Sequence, residues 1–332
     1  MRKRSWLALA LLLGASFLLS CLCGRYPLSL ADLWDILAGR AAGTMMENVF
    51  WNIRMARTCV TALCGAALSL AGFAYQSLFR NPLVSPDVLG VSGGASVGAI
   101  TAILFCGGSM AALQLLSFAG GVGTVLLSLL LARAIGGNRY FNLIVSGIIL
   151  GALANAAIMA LKYMADPTQE LAVIDYWLMG SFSLSNWGKL RVAAPLILVA
   201  GAVLVLLRYR LKVLTLGDEE AAALGVAVAP VRLACIGCAT VLVAASVSVS
   251  GIVSWVGLIV PHLVRSVLGD DFEANLFQSI LCGASLLLLA DTLARSLLPS
   301  EIPISILTSV IGAVCLMIFL ILRRREGRDR DA

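Results

Sequence analysis

Apolar residues dominate this chain in ten blocks, near positions 5–23, 58–79, 88–106, 111–132, 141–163, 192–208, 231–249, 252–268, 275–295 and 304–322. Short polar breaks, or breaks marked by Gly and Pro, separate them. A helix rises about 1.5 Å per residue, so about 20 apolar residues cross the roughly 30 Å hydrocarbon core of a bilayer. The pattern predicts an all-α, polytopic bundle of about ten transmembrane helices that takes up residues 1–332 as a single domain, with no soluble domain hidden in it.

Three connections carry more pattern than a turn requires. Residues 26–57 form an outer segment with an amphipathic stretch (Leu30, Leu33, Trp34, Leu37) and end in Arg54 and Arg57. Residues 164–189 form a second outer segment and place Tyr176 and Trp177 at interfacial depth. Residues 212–230, KVLTLGDEEAAALGVAVAP, carry the marks of a short helix. Acidic residues follow Gly217 in a first turn, where the helix dipole favours them, and Gly225 stands at the stop position. A helix of about two turns is not stable alone, so this one is expected to dock on something.

The chain is 60% hydrophobic and 13% charged, with a mean hydropathy of +0.98, well beyond a soluble domain. Charge then sets the orientation. With the N-terminus inside, Arg2, Lys3, Arg4, Arg80, Arg133, Arg139, Arg208, Arg210, Lys212, Arg232, Arg265 and the five arginines of the tail at 323–332 fall on the cytoplasmic side. Arg25, Arg40, Arg54, Arg57, Lys162, Lys189, Arg191 and Arg295 fall outside, so 16 of the 24 basic residues are inside and 8 outside. The net charge of +6 is therefore topological and gives no sign of nucleic-acid binding. The opening stretch MRKRSWLALALLLGASFLLSC has the layout of a lipoprotein signal ending at Cys21. Because the chain returns to the membrane many times after it, a first transmembrane helix is the expected reading.

Enzymatic chemistry finds few groups to use. The one Gly-Lys pair, Gly188-Lys189, is not followed by Ser or Thr, so there is no P-loop, and with one histidine no multi-histidine metal site can form. Most of the nine cysteines lie in apolar blocks, and Cys235-x-x-Cys238 has no second pair. No catalytic residue and no metal ligand is assigned. Within the spans the one clear ionisable group is Asp291, four residues before Arg295, a spacing that suits a local ion pair on one helix face. Transport is what remains for such a bundle, and its driving energy is expected from elsewhere.

Four stretches, RNPLVSPDVLGVSGGASVGA (80–99), LTLGDEEAAALGV (214–226), VSGIVSWVGLIVPHLVR (249–265) and LLLLADTLARSLLPSEIPISILTSVIGA (286–313), closely resemble the FecCD-type permeases in order and spacing. These are the membrane subunits of type II ABC importers for iron-siderophores, haem and cobalamin. The resemblance implies a vitamin B12 importer-like permease fold in the cytoplasmic membrane of a prokaryote, multi-pass, with both termini in the cytoplasm. It implies a second permease subunit, in a homodimer, around a central pathway. Two cytoplasmic ATPase subunits hold the ATP and Mg, so this chain binds no cofactor itself. A periplasmic or lipid-anchored binding protein delivers the substrate. Helices two to five and seven to ten are an inverted repeat in the family, a relation the sequence of this chain does not display.

Residue roles follow from the same resemblance. Gly217, Asp218, Glu219, Leu224 and Gly225 belong to a helix that couples to the ATPase, and His262 and Arg265 belong to the P-H-x-x-R element on the cytoplasmic side near it. Arg54, Arg57 and Arg295 match the basic positions that receive acidic residues of the binding protein, while anchoring of helix ends at the interface is the alternative for any one of them. Asn81, Pro82 and Leu83, together with Asn138, Arg139, Tyr140 and Phe141, match the inner gate, although GGNRYFN departs from the small hydroxyl residues of some relatives. Ser146, Gly147 and Gly151 on the fifth helix are expected to line the pathway. The Gly94/Gly98 and Gly147/Gly151 pairs also have the spacing that lets helices pack closely. Pro261 should kink or end the eighth helix, and His262 is expected to be a neutral packing or hydrogen-bonding residue, or a support of the coupling helix. The expected cargo is an iron-siderophore, haem or cobalamin, with an oxyanion such as molybdate as the alternative. A secondary, ion-coupled carrier is the rival reading, disfavoured by the scarcity of ionisable residues in the spans.

Overall fold

The computed structural model describes residues 2–136 and 139–330. Ten long helices make the bundle: α1 (Arg2–Leu22), α2 (Ala56–Leu78), α3 (Val91–Phe105), α4 (Met110–Ile135), α5 (Arg139–Met164), α6 (Trp187–Leu206), α7 (Val228–Ser250), α8 (Val256–Leu268), α9 (Phe272–Ser296) and α10 (Ile304–Arg330). No strand occurs among the described residues. Seven of the helical runs are long and apolar enough to cross a membrane, while α3, α8 and the apolar part of α10, Ile304–Ile318, are shorter.

Three helices form the hub. The apolar windows of α2, α7 and α9 are 78%, 72% and 61% buried, against 17–28% for α1, α4, α5 and α6, whose outer faces are left for lipid or another chain. Lipid tails are as apolar as leucine, so these helices are held by close packing more than by a hydrophobic drive. That closeness is visible on α2. A Cβ on Gly72 would stand 1.7 Å from the Gly257 carbonyl of α8, and one on Gly65 would stand 2.4 Å from the Gly283 carbonyl of α9. The Gly94/Gly98 pair likewise meets the α4 backbone, at Gly120 and Leu116.

The short helices have a physical cause. After α2 ends, the chain turns back into the bundle, and Ser85, Pro86 and Asp87 line one cavity of about 250 Å³ with Leu68. Leu68 lies ten residues before the end of α2, so the chain has climbed roughly 15 Å before α3 begins. The segment 251–255 does the same from the other side, and Ile252, Val253 and Ser254 border the same cavity. The two meet where Pro86 packs on Gly257. Each new helix starts after a left-handed residue, Gly90 (φ 79°) before α3 and Trp255 (φ 69°) before α8. Non-helical backbone at membrane depth needs partners from the protein. Ser305 Oγ donates to the Ile252 carbonyl at 2.6 Å, Ser181 N to Ser250 O at 2.7 Å, and Ser128 Oγ to Leu89 O at 3.2 Å.

Several expectations need correction. The blocks 88–106 and 252–268 are not continuous spans, because 86–90 and 251–255 are re-entrant pieces. Pro261 does not end α8, which continues to Leu268. Residues 45–57 are not part of a polar connection: the helix begins at Met45, passes through a π-helical stretch at Val49–Met55, and runs straight into α2. The two outer segments hold short helices at Leu30–Leu37, with a capping box between Ser29 and Asp32, and at Glu170–Leu178.

Candidate functional site

Two clusters of polar residues stand at opposite ends of the bundle. The end that carries the short helix Asp218–Ala223 is called lower here, and the end where α1 finishes is called upper.

The Asp218–Ala223 helix has three acidic residues in its first turn and stops in a Schellman motif. Gly225 has φ 80°, its N–H bonds to Ala222 O at 2.9 Å, and Val226 N–H bonds to Ala221 O at 2.9 Å. Only Gly adopts that dihedral without strain, which is why the sequence could place this end. Leu216, Glu219, Glu220, Leu224 and Gly225 are exposed, so the helix presents two leucines beside two carboxylates, while Ala221 anchors it inward. Among the described residues nothing covers that face.

Asp218 turns the other way. Its Oδ1 accepts from Tyr140 Oη at 2.6 Å and from Arg232 Nη2 at 2.6 Å, and Arg232 Nη2 also donates to the Tyr140 hydroxyl. The Arg232 guanidinium lies 4.3 Å from the Tyr140 ring centroid and that of Arg80 lies 5.5 Å away, on the two cationic partners such a ring accepts. Phe79 adds an edge-to-face contact with Tyr140. Partial burial acts to raise the Asp218 carboxyl, but the hydrogen bonds from Tyr140 and Arg232 outweigh it and hold the group below the ordinary carboxylate range. Residues from the first turn of α5, the first turn of α7, the end of α2 and the short helix are thus fastened together. A shift of the short helix has a direct mechanical route to α5.

The other expected lower residues fall into place around this hub. Asn81 makes an Asx turn, its Oδ1 accepting from Leu83 N at 2.9 Å, and Pro82 and Leu83 are exposed beside it. Asn138 lies outside the described residues; Arg139 begins α5, and Phe141 is exposed one residue after Tyr140. Arg265 donates to Gln76 Oε1, and Gln76 Nε2 donates to Leu258 O at 2.9 Å, so the P-H-x-x-R element ties α8 to α2. His262 is buried on the same helix. Ser146 and Gly147 do not face a pathway in this chain. They are buried, with Gly147 against the Val88 carbonyl, because the re-entrant segment fills the space beside them. Gly151 faces open space, and the exposed face of α5 runs through Phe141, Ile148, Ala152, Asn155 and Met159.

At the upper end stand the three arginines expected to receive a binding protein or to anchor helix ends. Arg54, Arg57 and Arg295 are only 3%, 7% and 6% exposed. The last carbonyls of α1 lack helical partners, and arginines supply them. Arg54 donates to Cys21 O at 2.8 Å, to Leu22 O and to Tyr26 O, and Arg295 donates to Ser20 O at 2.5 Å. Arg57 holds both Asp291, at 2.8 Å, and Glu301, at 3.0 Å. Asp291 is therefore paired across helices with Arg57, and its contact with Arg295 on its own helix is the longer one at 3.8 Å. Arg295 still borders an open hollow of about 560 Å³ that Arg25 also lines. The sequence reading missed Arg232, Arg80 and Glu301 as partners. Arg232 carried a signal, a lone cation in the first turn of a span 14 residues after Asp218, but sequence spacing does not show which acid it meets.

Comparison with known proteins agrees with this geometry. The FecCD transport family matches residues 11–323. The chain is 40% identical over 326 residues to the molybdate import system permease protein of Haemophilus influenzae, covering 97% of this chain and 96% of that one. It is 38% identical over 311 residues to the hemin transport system permease protein of Yersinia pestis, covering 92% and 91%. A solved inward-facing metal-chelate-type ABC transporter superposes with a TM-score of 0.86 at 38% identity, over 97% of this chain and 99% of that one.

Proposed function

The chain belongs to the FecCD transport family of ABC importer permeases, and we propose that it carries an iron-siderophore or related metal chelate, such as haem or cobalamin, into the cytoplasm. In this reading the lower end lies in the cytoplasm, with both termini, in the inner membrane of a prokaryote. Two copies pair along exposed faces that include that of α5, and two ATPase subunits seat the Asp218–Ala223 helices. A substrate-binding protein docks above. Its acidic residues meet Arg25 and Arg295 at the upper hollow, where such pairs set register and on-rate more than affinity. The ATPases hold ATP and Mg; this chain performs no covalent step.

One observation carries the mechanism. The helix offered to the ATPase is fastened through Asp218 to Tyr140, at the start of the helix whose exposed face meets the pathway. Closure of the ATPase pair on ATP would move the short helix, and Tyr140 and Arg232 would pass that displacement to α5 and α7. The wall then tilts between outward-open and inward-open arrangements.

The substrate class is supported by the hemin relative and by the metal-chelate transporter of like fold, while the molybdate relative keeps an oxyanion as the second reading. Vesicles reconstituted with the permease, its ATPase and its binding protein should take up labelled ferric chelate, haem or cobalamin only with ATP. Uptake of molybdate but none of the chelates would select the second reading. Uptake that needs neither partner protein would overturn both and restore a secondary carrier.

A further inference from the structure

A groove of about 560 Å³ opens at the lower end between the last turns of α2 and α4 and the first turns of α5 and α7. Its volume lies in the range of small-molecule sites. Leu78, Leu129, Leu143, Leu233 and Ile236 line it with hydrocarbon, and Arg133, Arg232 and Tyr140 also border it. No carboxylate among the described residues pairs with Arg133. Asp218 pairs with Arg232 through Nη2. Arg133 is exposed at the groove and Arg232 brings a second guanidinium to it, so the mouth favours an anion. Apolar walls beneath paired cations, at the membrane ends of four helices, fit a molecule with a phosphate at one end and a long hydrocarbon chain at the other.

We propose that this groove binds one anionic phospholipid of the cytoplasmic leaflet, with its phosphate beside Arg133 and Arg232 and one acyl chain along Leu129, Leu143 and Ile236. A small free oxyanion would use the two arginines but leave the hydrocarbon lining empty. A zwitterionic lipid would bring its own cation to a rim that already holds Arg133 and Arg232. The bound phosphate would add a charged contact beside Arg232 and steady the Tyr140–Asp218–Arg232 hub from the groove side. Coupling between the short helix and α5 would then depend on the anionic lipid content of the membrane. The inference rests on the proposed orientation for the identity of the leaflet.

Native mass spectrometry of the purified permease with its ATPase subunits, given phosphatidylglycerol or phosphatidylcholine of matched chain length, tests this. One phosphatidylglycerol should be retained per permease chain in preference to phosphatidylcholine. Arg133→Ala should weaken its retention about fivefold, the equivalent of the roughly 1 kcal/mol that one basic residue contributes at an anionic surface. Arg133→Lys should keep most of it, and Ala132→Phe, which narrows the groove, should reduce retention while the complex stays assembled. Equal retention of both lipids, or an Arg133→Ala complex that holds phosphatidylglycerol as the parent does, would overturn the proposal. Displacement of phosphatidylglycerol by inorganic phosphate or molybdate at equal concentration would show a small-oxyanion site and overturn it as well. The readout is mass alone, so a chain that retains the lipid yet transports nothing counts against the proposed function only.

Discussion

Replacing Tyr140 with Phe removes one atom from the hub and leaves its shape intact. The hydroxyl donates to Asp218 at 2.6 Å, and a hydrogen bond to a charged acceptor contributes about 1.5–3 kcal/mol when shielded from water. The Asp218 side chain is 41% exposed, so the bond is discounted to about 1 kcal/mol. That is about a fivefold shift between fastened and unfastened helix. The ring remains under Arg232, so the variant should fold and assemble. Asp218→Ala goes further. It leaves Arg232, only 12% exposed, without its carboxylate, and should cost about 2 kcal/mol, roughly a 30-fold shift. The assay is substrate moved per ATP hydrolysed in vesicles that contain the ATPase and the loaded binding protein. Transport per ATP should fall about fivefold for Tyr140→Phe and about 30-fold for Asp218→Ala, with hydrolysis retained. Unchanged stoichiometry in both variants, in complexes that remain assembled, would refute the route through Tyr140.

Other consequences follow from the same structure. Asp291→Ala leaves the buried Arg57 with Glu301 as its one carboxylate, which should cost about 1.5–3 kcal/mol, so thermal melting in detergent should fall; a melting point like the parent's would count against the clasp. Gly72→Ala should abolish folded yield, because its Cβ would fall 1.7 Å from Gly257 O, whereas Gly151→Ala, with open space around it, should express normally; equal yields would contradict this packing. The Asp218 carboxyl is held below its ordinary value of about 3.9, so the contribution of the hub is fully present above that pH and is lost as pH falls through the lowered value. Carboxyl NMR of Asp218 should show a midpoint below the ordinary value of about 3.9, and a midpoint at or above that value would contradict the hub.

The sequence displayed the spans well because a run of about 20 apolar residues has one stable form in lipid. It displayed the short helix too, since acidic residues in a first turn and a left-handed Gly225 are local requirements. The breaks at 86–90 and 251–255 were hidden because each runs directly into a helix and carries apolar residues such as Val88, Leu89, Ile252 and Val253 that extend the apolar block. The upper arginines left two readings open for a related reason. A basic residue at the end of a span reads the same whether it faces water or caps a neighbouring helix, and only the fold shows that Arg54 and Arg295 close the end of α1. The hub was legible only in halves. Tyr140 and Asp218 were each marked, as gate and as coupling residue, but their contact spans 78 positions of sequence and no spacing rule connects them.

The central claim is that the helix around residues 216–225 is where a separate ATPase takes hold of this chain. Affinity capture of the tagged permease from its own membranes should bring down a P-loop ATPase. Replacement of residues 216–225 by a flexible Gly-Ser stretch should release the ATPase while the bundle keeps its melting point. Undiminished capture of the ATPase by that folded variant would contradict the account.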